Sequence, residues 1–413
     1  MRIGLIINQL KNAGGAYQLL QLAQQLRKKG HTIIIYTITS DVIDISPDLL
    51  QGLTIKSCNT SPRVEKIPHG QLIGFLLYVS FHIKTTLMLA KLMYADSLDL
   101  LNPHEWPAQW SAVLIKWLKG TPIVWICNDI WHIPGNEEYP ENRIVFSVGN
   151  KIIIGLLDKL LTSYVNAIIV LDHRIQSIIK TYYQKQSVVV RSGIDLNMFK
   201  TVIPKINARD ELNLSRNLYI FLCFHAFFRH RRFEDVVYAT STLRHSIGYK
   251  NFLVYIVGSD KFDPEYATLI KTLIEKEQLE QIIKLRTEYV PTEKVKKYFF
   301  ACDAFIFPND KQTWGIAAIE AMAAGKPCII SKGAGVHEVI KDGVNGLMFT
   351  PRDTKELSKK MNYLLEHPKE AELIGKRAKN YVFKNFSWTS FAIEIEKNFN
   401  DVLKRQAELF PLN

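Results

Sequence analysis

The sequence is poor in cysteine. Its five, Cys58, Cys127, Cys223, Cys302 and Cys328, are far apart, and most sit in apolar runs. With no CxxC pair and no histidine-rich companion, a zinc module is excluded as a class. An odd number of buried-looking thiols fits a reducing compartment. A contiguous Asp-x-Asp is also missing. The longest uncharged stretch, residues 67–83, is broken by Pro68, His69, Gln71, Ser80 and His82. It falls short of the roughly 20 mostly apolar residues of a spanning helix. The opening MRIGLIINQ has one charge and a short apolar run, and reads as a first strand rather than a leader. Charge blocks are absent as well. The net charge of +12 divides evenly, +6 in residues 1–200 and +6 beyond. No basic arm for nucleic acid stands out. A diffuse positive surface suits phosphorylated ligands or anionic lipid headgroups.

What is present is a globular composition: 413 residues, 47% hydrophobic and 22% charged, enough for two buried cores. The pattern is strand, loop, helix, repeated. Strands are expected at 3–7, 31–36, 98–101, 123–127, 167–171 and 188–190, with a helix over 17–29 stopped by Gly30. A second series is expected at 218–224, 252–257, 282–285, 304–307, 327–330 and 346–349. Helices fill the gaps, and the tail from about Thr354 is helical to near Leu409. Alternation of this kind implies parallel sheets with helices on both faces. Periodicity fades between Arg191-Ser-Gly-Ile-Asp195 and Leu214, which reads as the interdomain connection. In such sheets ligands bind beyond the carboxyl ends of the strands.

Three segments carry chemistry. Gly14 and Gly15 lie between a strand and a helix, where a bare backbone and helix amides can approach a ligand. Gly333 and Gly335, in the loop 331–338, offer the same freedom. The densest segment is QTWGIAAIEAMAAGKP, residues 312–327. It starts a helix near Gly315 and stops it at Gly325. Glu320 is the only acid in that small-residue helix. A carboxylate there can accept both hydroxyls of a vicinal diol such as ribose.

With KGAGVHEVIKDGVNGLMFTPRD following it, this segment resembles the GT-B glycosyltransferases of retaining family four, the glycogen-synthase-like and phosphatidylinositol-mannosyltransferase-like group. The resemblance implies an α/β fold of two Rossmann-like doubly wound domains facing across a cleft. It divides the chain into an acceptor-binding domain (1–200), a nucleotide-sugar-binding domain (201–390) and a C-terminal helix (391–413) packing back toward the first. Glu320 matches the glutamate that binds the donor ribose. Gln312 stands where another glutamate is usual, near the donor sugar; it retains hydrogen bonding but not a carboxylate. Trp314, Gly315, Ile316 and Ala317 fall on the donor loop, the last two with backbone N–H groups near the diphosphate. His104, in HEWP, matches the histidine beside the transferred sugar. The family places an Arg and a Lys against the diphosphate. Aligning on Asp235 puts Arg232 at the Lys position and Phe227 at the Arg position, so Arg229 or Arg231 is left to substitute.

The activity implied is sugar transfer from a nucleotide diphosphate sugar with retention, without a metal or other cofactor. The leaving phosphate accepts the acceptor's proton. The partners implied are the donor and a glycan or lipid-linked acceptor. Two basic, apolar segments, 72–93 with Lys84 and Lys91, and 144–165 with Lys151 and Lys159, read either as core helices or as an interfacial surface. In the second, Ser147, Lys151, Gly155, Asp158 and Thr162 share a face. The expected location is the cytoplasm, with peripheral contact at the inner face of the membrane. Gln312 and Phe227 keep two alternatives open, a non-catalytic sugar-nucleotide-binding relative and a nucleotide-sugar epimerase.

Overall fold

The computed structural model describes residues 1–11, 14–43, 45–59, 72–128, 130, 132–133, 148–247, 251–311 and 314–409. It divides into two compact units, Met1–Ser192 with Trp388–Asn413, and Gly193–Ser387.

The first unit runs β1 (Arg2–Leu10), α1 (Gly14–Lys28), β2 (Thr32–Ser40), α2 (Pro47–Leu50), β3 (Thr54–Ser57), α3 (Leu72–Tyr94), β4 (Leu100–Pro103), α4 (Ala108–Lys119), β5 (Val124–Cys127), α5 (Val148–Ser163), β6 (Ala167–Val170), α6 (His173–Tyr183) and β7 (Val188–Val189). Strands β3-β2-β1-β4 form one parallel sheet and β5-β6-β7 another. Parallel bridges Leu101↔Ile123 and His104↔Ile126 carry the order across β4 and β5. The strand order reverses direction between β1 and β4, which is where a doubly wound sheet opens its binding crevice. Near-continuous apolar runs explain the burial of both sheet faces. Ile3, Leu5 and Ile7 of β1 point to one core, with Leu19, Leu22 and Leu26 of α1. Ile6 points to the other, with Trp106, Trp110 and Trp125. The first core also takes Trp388, Phe391, Ile395 and Phe399 of the last helix, α15 (Trp388–Leu409).

The second unit contains α7 (Asn197–Lys200), α8 (Lys205–Glu211), β8 (Tyr219–Phe224), α9 (Phe233–Ile247), β9 (Phe252–Val257), α10 (Pro264–Lys276), β10 (Ile283–Arg286), α11 (Thr292–Ala301), β11 (Ala304–Phe307), α12 (Ile316–Ala323), β12 (Cys328–Ser331), β13 (Leu347–Phe349), α13 (Thr354–Glu366) and α14 (Pro368–Asn385). Its parallel sheet has the order β10-β9-β8-β11-β12-β13. The reversal falls between β8 and β11. Helix starts follow local chemistry: Asp263 caps α10 and Asp353 caps α13, each accepting from a first-turn N–H. The stretch after Asp195 is not featureless, because it carries the short helices α7 and α8.

No helix among the described residues is long and apolar enough to cross a membrane.

Candidate active site

In the first unit, the expected residues lie at the carboxyl ends of β1 and β4, with Asn128 after β5 beside them. Gly14 is exposed, and a Cβ there would meet nothing within 4 Å. At Gly15 a Cβ would lie 2.7 Å from Glu105 Oε1 and 3.9 Å from Asn128 Nδ2. Gly15, Glu105 and Asn128 are therefore neighbours. His104 follows β4 and is fully buried. Its N–H donates to Ile6 O at 2.7 Å, tying it to β1. Its ring Nε2 lies 2.9 Å from Asn102 Oδ1. Burial pushes the imidazole pKa down to about 3, so the ring is neutral at ordinary pH. Glu105 adopts a left-handed φ of 65°, which turns the chain sharply after the strand.

Behind this loop lies Asp158 of α5. Trp106 Nε1, Gln109 Nε2 and Trp110 Nε1 donate to its Oδ1 at 2.9, 3.1 and 2.7 Å, and the Tyr183 hydroxyl donates to Oδ2. Burial pushes the Asp158 carboxyl up, opposed by these donors. Asp158 and Thr162 face the interior, while Ile153, Leu156 and Leu160 on the other side of α5 are exposed. Asp158 and Thr162, two members of the polar stripe expected on this helix, thus lie on its inner face, while the Lys151 side chain is outside the described residues. Ser147 lies outside the described residues.

In the second unit, the loops after β8, β11 and β12 converge. Asp310 N–H donates to His230 O at 2.9 Å, joining the first two. A Cβ on Gly333 would lie 2.9 Å from the Asp310 Cα, so only a glycine lets the third loop come this close. Asn309 is fully buried at this junction, and its amide has no partner among the described residues. Neither Asn128 nor Asn309 drew attention in the sequence, since a neutral amide at a strand end carries no pattern.

The segment after β11 enters α12 through Trp314 and Gly315. Trp314 is buried against Phe386, with ring centroids 5.4 Å apart. Gly315 offers no capping side chain, so the first-turn N–H groups of Ile316 and Ala317 are not met by one. Glu320 lies one turn on and is partly exposed. Burial, aided by the negative charge of Asp195, pushes its pKa up to about 8. The Asp195 charge is therefore felt at Glu320. Gln312 lies outside the described residues.

The basic turn is a 3₁₀ segment, Arg229–Arg231, followed by Arg232 at φ 54°. Arg232 pairs with Asp235 and Glu234. Arg229 is half exposed, 3.7 Å from Asp263. Phe227 is fully buried against Phe233 and Tyr266 and offers the turn no polar group. Among the described residues, no group of three or more His, Cys, Asp or Glu is placed to hold a metal ion.

Two family models match the chain: "Glycosyltransferase Family 4" over residues 13–198 and "Glycosyl transferases group 1" over residues 204–381. The D-inositol 3-phosphate glycosyltransferase of Thermobispora bispora is 21% identical, over 97% of this chain and 93% of its own. The N-acetyl-alpha-D-glucosaminyl L-malate synthase of Bacillus anthracis is 22% identical, over 93% of each. Among solved structures, sucrose-phosphate synthase from Thermosynechococcus elongatus superposes with a TM-score of 0.77 at 18% identity, covering 98% of this chain and 99% of that one. Anabaena HepE, solved with UDP-glucose, gives 0.74 at 18% identity, covering 97% and 100%.

Proposed function

Because this chain belongs to the GT-B glycosyltransferases of family four, we propose that it transfers a sugar from a UDP- or GDP-sugar to a glycan or lipid-linked acceptor, with retention at the anomeric carbon. The observation that carries this reading is Glu320, the lone acid of its helix, its pKa raised by burial to about 8, one turn inside a helix whose first amides lack a capping side chain. The ribose hydroxyls of the donor supply the hydrogen bonds this carboxylate accepts. The Ile316 and Ala317 amides and the Arg229 guanidinium meet the diphosphate. Charge grows on that leaving group in the transition state, where pre-placed donors lower the barrier. These cations and amides balance it without a resident metal, so turnover is expected to survive a chelator. Gly14 and Gly15 leave room for the donor, Gln312 bonds a hydroxyl of its sugar, and Arg232 shapes the basic turn.

The protein works in surface polysaccharide or glycolipid assembly, in the cytoplasm and peripherally on the inner face of the membrane. Exposed apolar residues on α3 (Leu77, Leu87) and α5 (Leu156, Leu160) beside Lys84, Lys91 and Lys159 support that placement.

The test is a panel of UDP-, GDP-, ADP- and TDP-sugars read by thermal stabilisation and release of the leaving nucleotide, with Glu320→Ala alongside. A ligand that binds only the folded state raises apparent stability with the logarithm of its concentration over Kd. One donor that stabilises the wild type, is turned over and loses its effect in Glu320→Ala is the expected result. Stabilisation by none of them, with or without liposomes, would reject the reading.

A further inference from the structure

The end of β4 settles the protonation of His104. Asn102 and His104 are both fully buried. Asn102 Nδ2 lies 2.5 Å from the carbonyl oxygen of Val124. A carbonyl oxygen only accepts, so the amide NH₂ has to face it. Oδ1 is thereby turned the other way, to 2.9 Å from His104 Nε2. An amide oxygen also only accepts, so Nε2 has to carry a proton. The opposite tautomer would set two lone pairs against each other. Burial keeps the ring neutral, which leaves it that one proton. Nδ1 then holds a bare lone pair. It is buried and has no hydrogen-bond partner among the described residues, a costly condition that a bound donor group would relieve. The His104 backbone is held by its N–H on Ile6 O and by the bridge to Ile126, which leaves Asn102 as the hydrogen-bond partner of the ring.

We propose that Asn102 is a positioning residue: it locks His104 as the neutral Nε2–H tautomer and so presents Nδ1 as a hydrogen-bond acceptor to a hydroxyl of the sugar being transferred. The hydroxyl rests on the transferase reading above; the tautomer does not. The same Asn102 amide crosses from β4 to β5, so strand packing fixes its orientation before any ligand arrives.

The tautomer is read directly from a long-range ¹H–¹⁵N spectrum of the full chain, labelled on histidine, at pH 7. The His104 signals are assigned by their loss in His104→Asn. The expected spectrum shows Nε2 protonated and Nδ1 bare; a protonated Nδ1 or an imidazolium overturns the proposal. Asn102→Ala is expected to mix the tautomers and to lower kcat by about tenfold, with donor KM within about twofold. An unchanged spectrum and unchanged kcat in that variant would overturn the role of Asn102. Should it fail to fold, the side-chain replacements decide, because asparagine places an amide atom where Nδ1 stands and glutamine where Nε2 stands. His104→Asn is expected to keep about ten times more transfer than His104→Gln; the reverse order overturns the proposal. A wild type that transfers no sugar defeats the transferase reading while the spectrum still decides the tautomer.

Discussion

Arg232 and Asp235 form a two-point ion pair at the start of α9, with Nε 3.1 Å from Oδ2 and an Nη nitrogen 2.7 Å from Oδ1. The other Nη reaches Glu234 at 2.6 Å. Two carboxylates therefore surround one guanidinium at the position where the family resemblance puts a diphosphate-binding cation. The pair also sets the turn, since Arg232 itself sits in the left-handed region that most residues avoid. The loosely engaged positive charge beside it is Arg229.

These two arginines are expected to separate in a paired experiment. Arg229→Ala lowers donor affinity by about tenfold while Tm stays within a degree, because a half-exposed side chain adds little to stability. Arg232→Ala lowers both. It leaves Asp235, itself buried, without its partner, a loss of about 1–3 kcal/mol that thermal unfolding reads as several degrees. Equal effects of the two substitutions on Tm would contradict this division of labour.

Glu320 makes the protein pH-dependent in a definite direction. Its pKa is about 8 when folded and near the ordinary value of about 4.3 when unfolded. Between those values the folded chain holds a proton that the unfolded chain has released, so this group's contribution falls as pH rises toward 8 and is level above it. Glu320→Gln removes that slope and is expected to be the more stable protein at pH 8.5 in urea titrations from pH 5 to 9. Donor binding runs the other way. If Glu320 accepts the ribose hydroxyls, as proposed above, it does so as the ionised carboxylate, so affinity is expected to rise toward pH 8 and the Gln variant to show a flat, weak profile.

The elements legible in the sequence are those whose side chains are buried on both sheet faces. Strands β8, β9 and β11 are apolar throughout and bounded by turn residues, and their limits fall within a residue of expectation. Strand β3, Thr54–Ser57, was not legible. It is an edge strand with one exposed and three half-buried residues, so nothing forces an apolar run. Strand β4 lies two residues later than its apolar run, because pairing with β1 continues through Asn102 and Pro103. At the site, Glu320 stood out because a lone acid in an apolar helix demands an explanation. Asn102, Asn128 and Asn309 did not, since uncharged amides acquire meaning only when the fold places them at strand ends. The pairing of Arg232 was hidden because sequence spacing counts charges without showing which of them neutralise each other.

Glycine contacts give a prediction about packing. A Cβ on Gly375 of α14 would lie 2.2 Å from the carbonyl oxygen of Gly325, just past α12. Both sides of that contact are backbone, so neither yields cheaply. Gly375→Ala is expected to cost about 1–3 kcal/mol and to weaken donor binding by shifting α12. Gly14→Ala, with open space around it, is expected to leave Tm unchanged and to affect donor affinity alone. Thermal unfolding with and without the best donor of the panel checks both.

The outer face of α3, α4 and α5 sets up the last test. Leu77, Leu87, Trp117, Leu118, Ile153, Leu156 and Leu160 are each about half exposed or more, and exposed Lys84, Lys91 and Lys159 lie among them on α3 and α5. A face whose only role was to cover the sheet would keep such residues inward, as α5 does with Asp158 and Leu161. Each lysine contributes about 1 kcal/mol near an anionic bilayer, screened by salt. Leucines that enter the interface add an apolar term that salt does not remove. Wild-type protein is therefore expected to sediment with phosphatidylglycerol vesicles at low salt and to be only partly released at high salt. Leu156→Glu with Leu160→Glu is expected to leave it in the supernatant under both conditions, with nucleotide release from the donor in bulk solution unchanged. Wild-type protein that stays in the supernatant at low salt would remove the membrane from the reading and leave a soluble glycan as the acceptor.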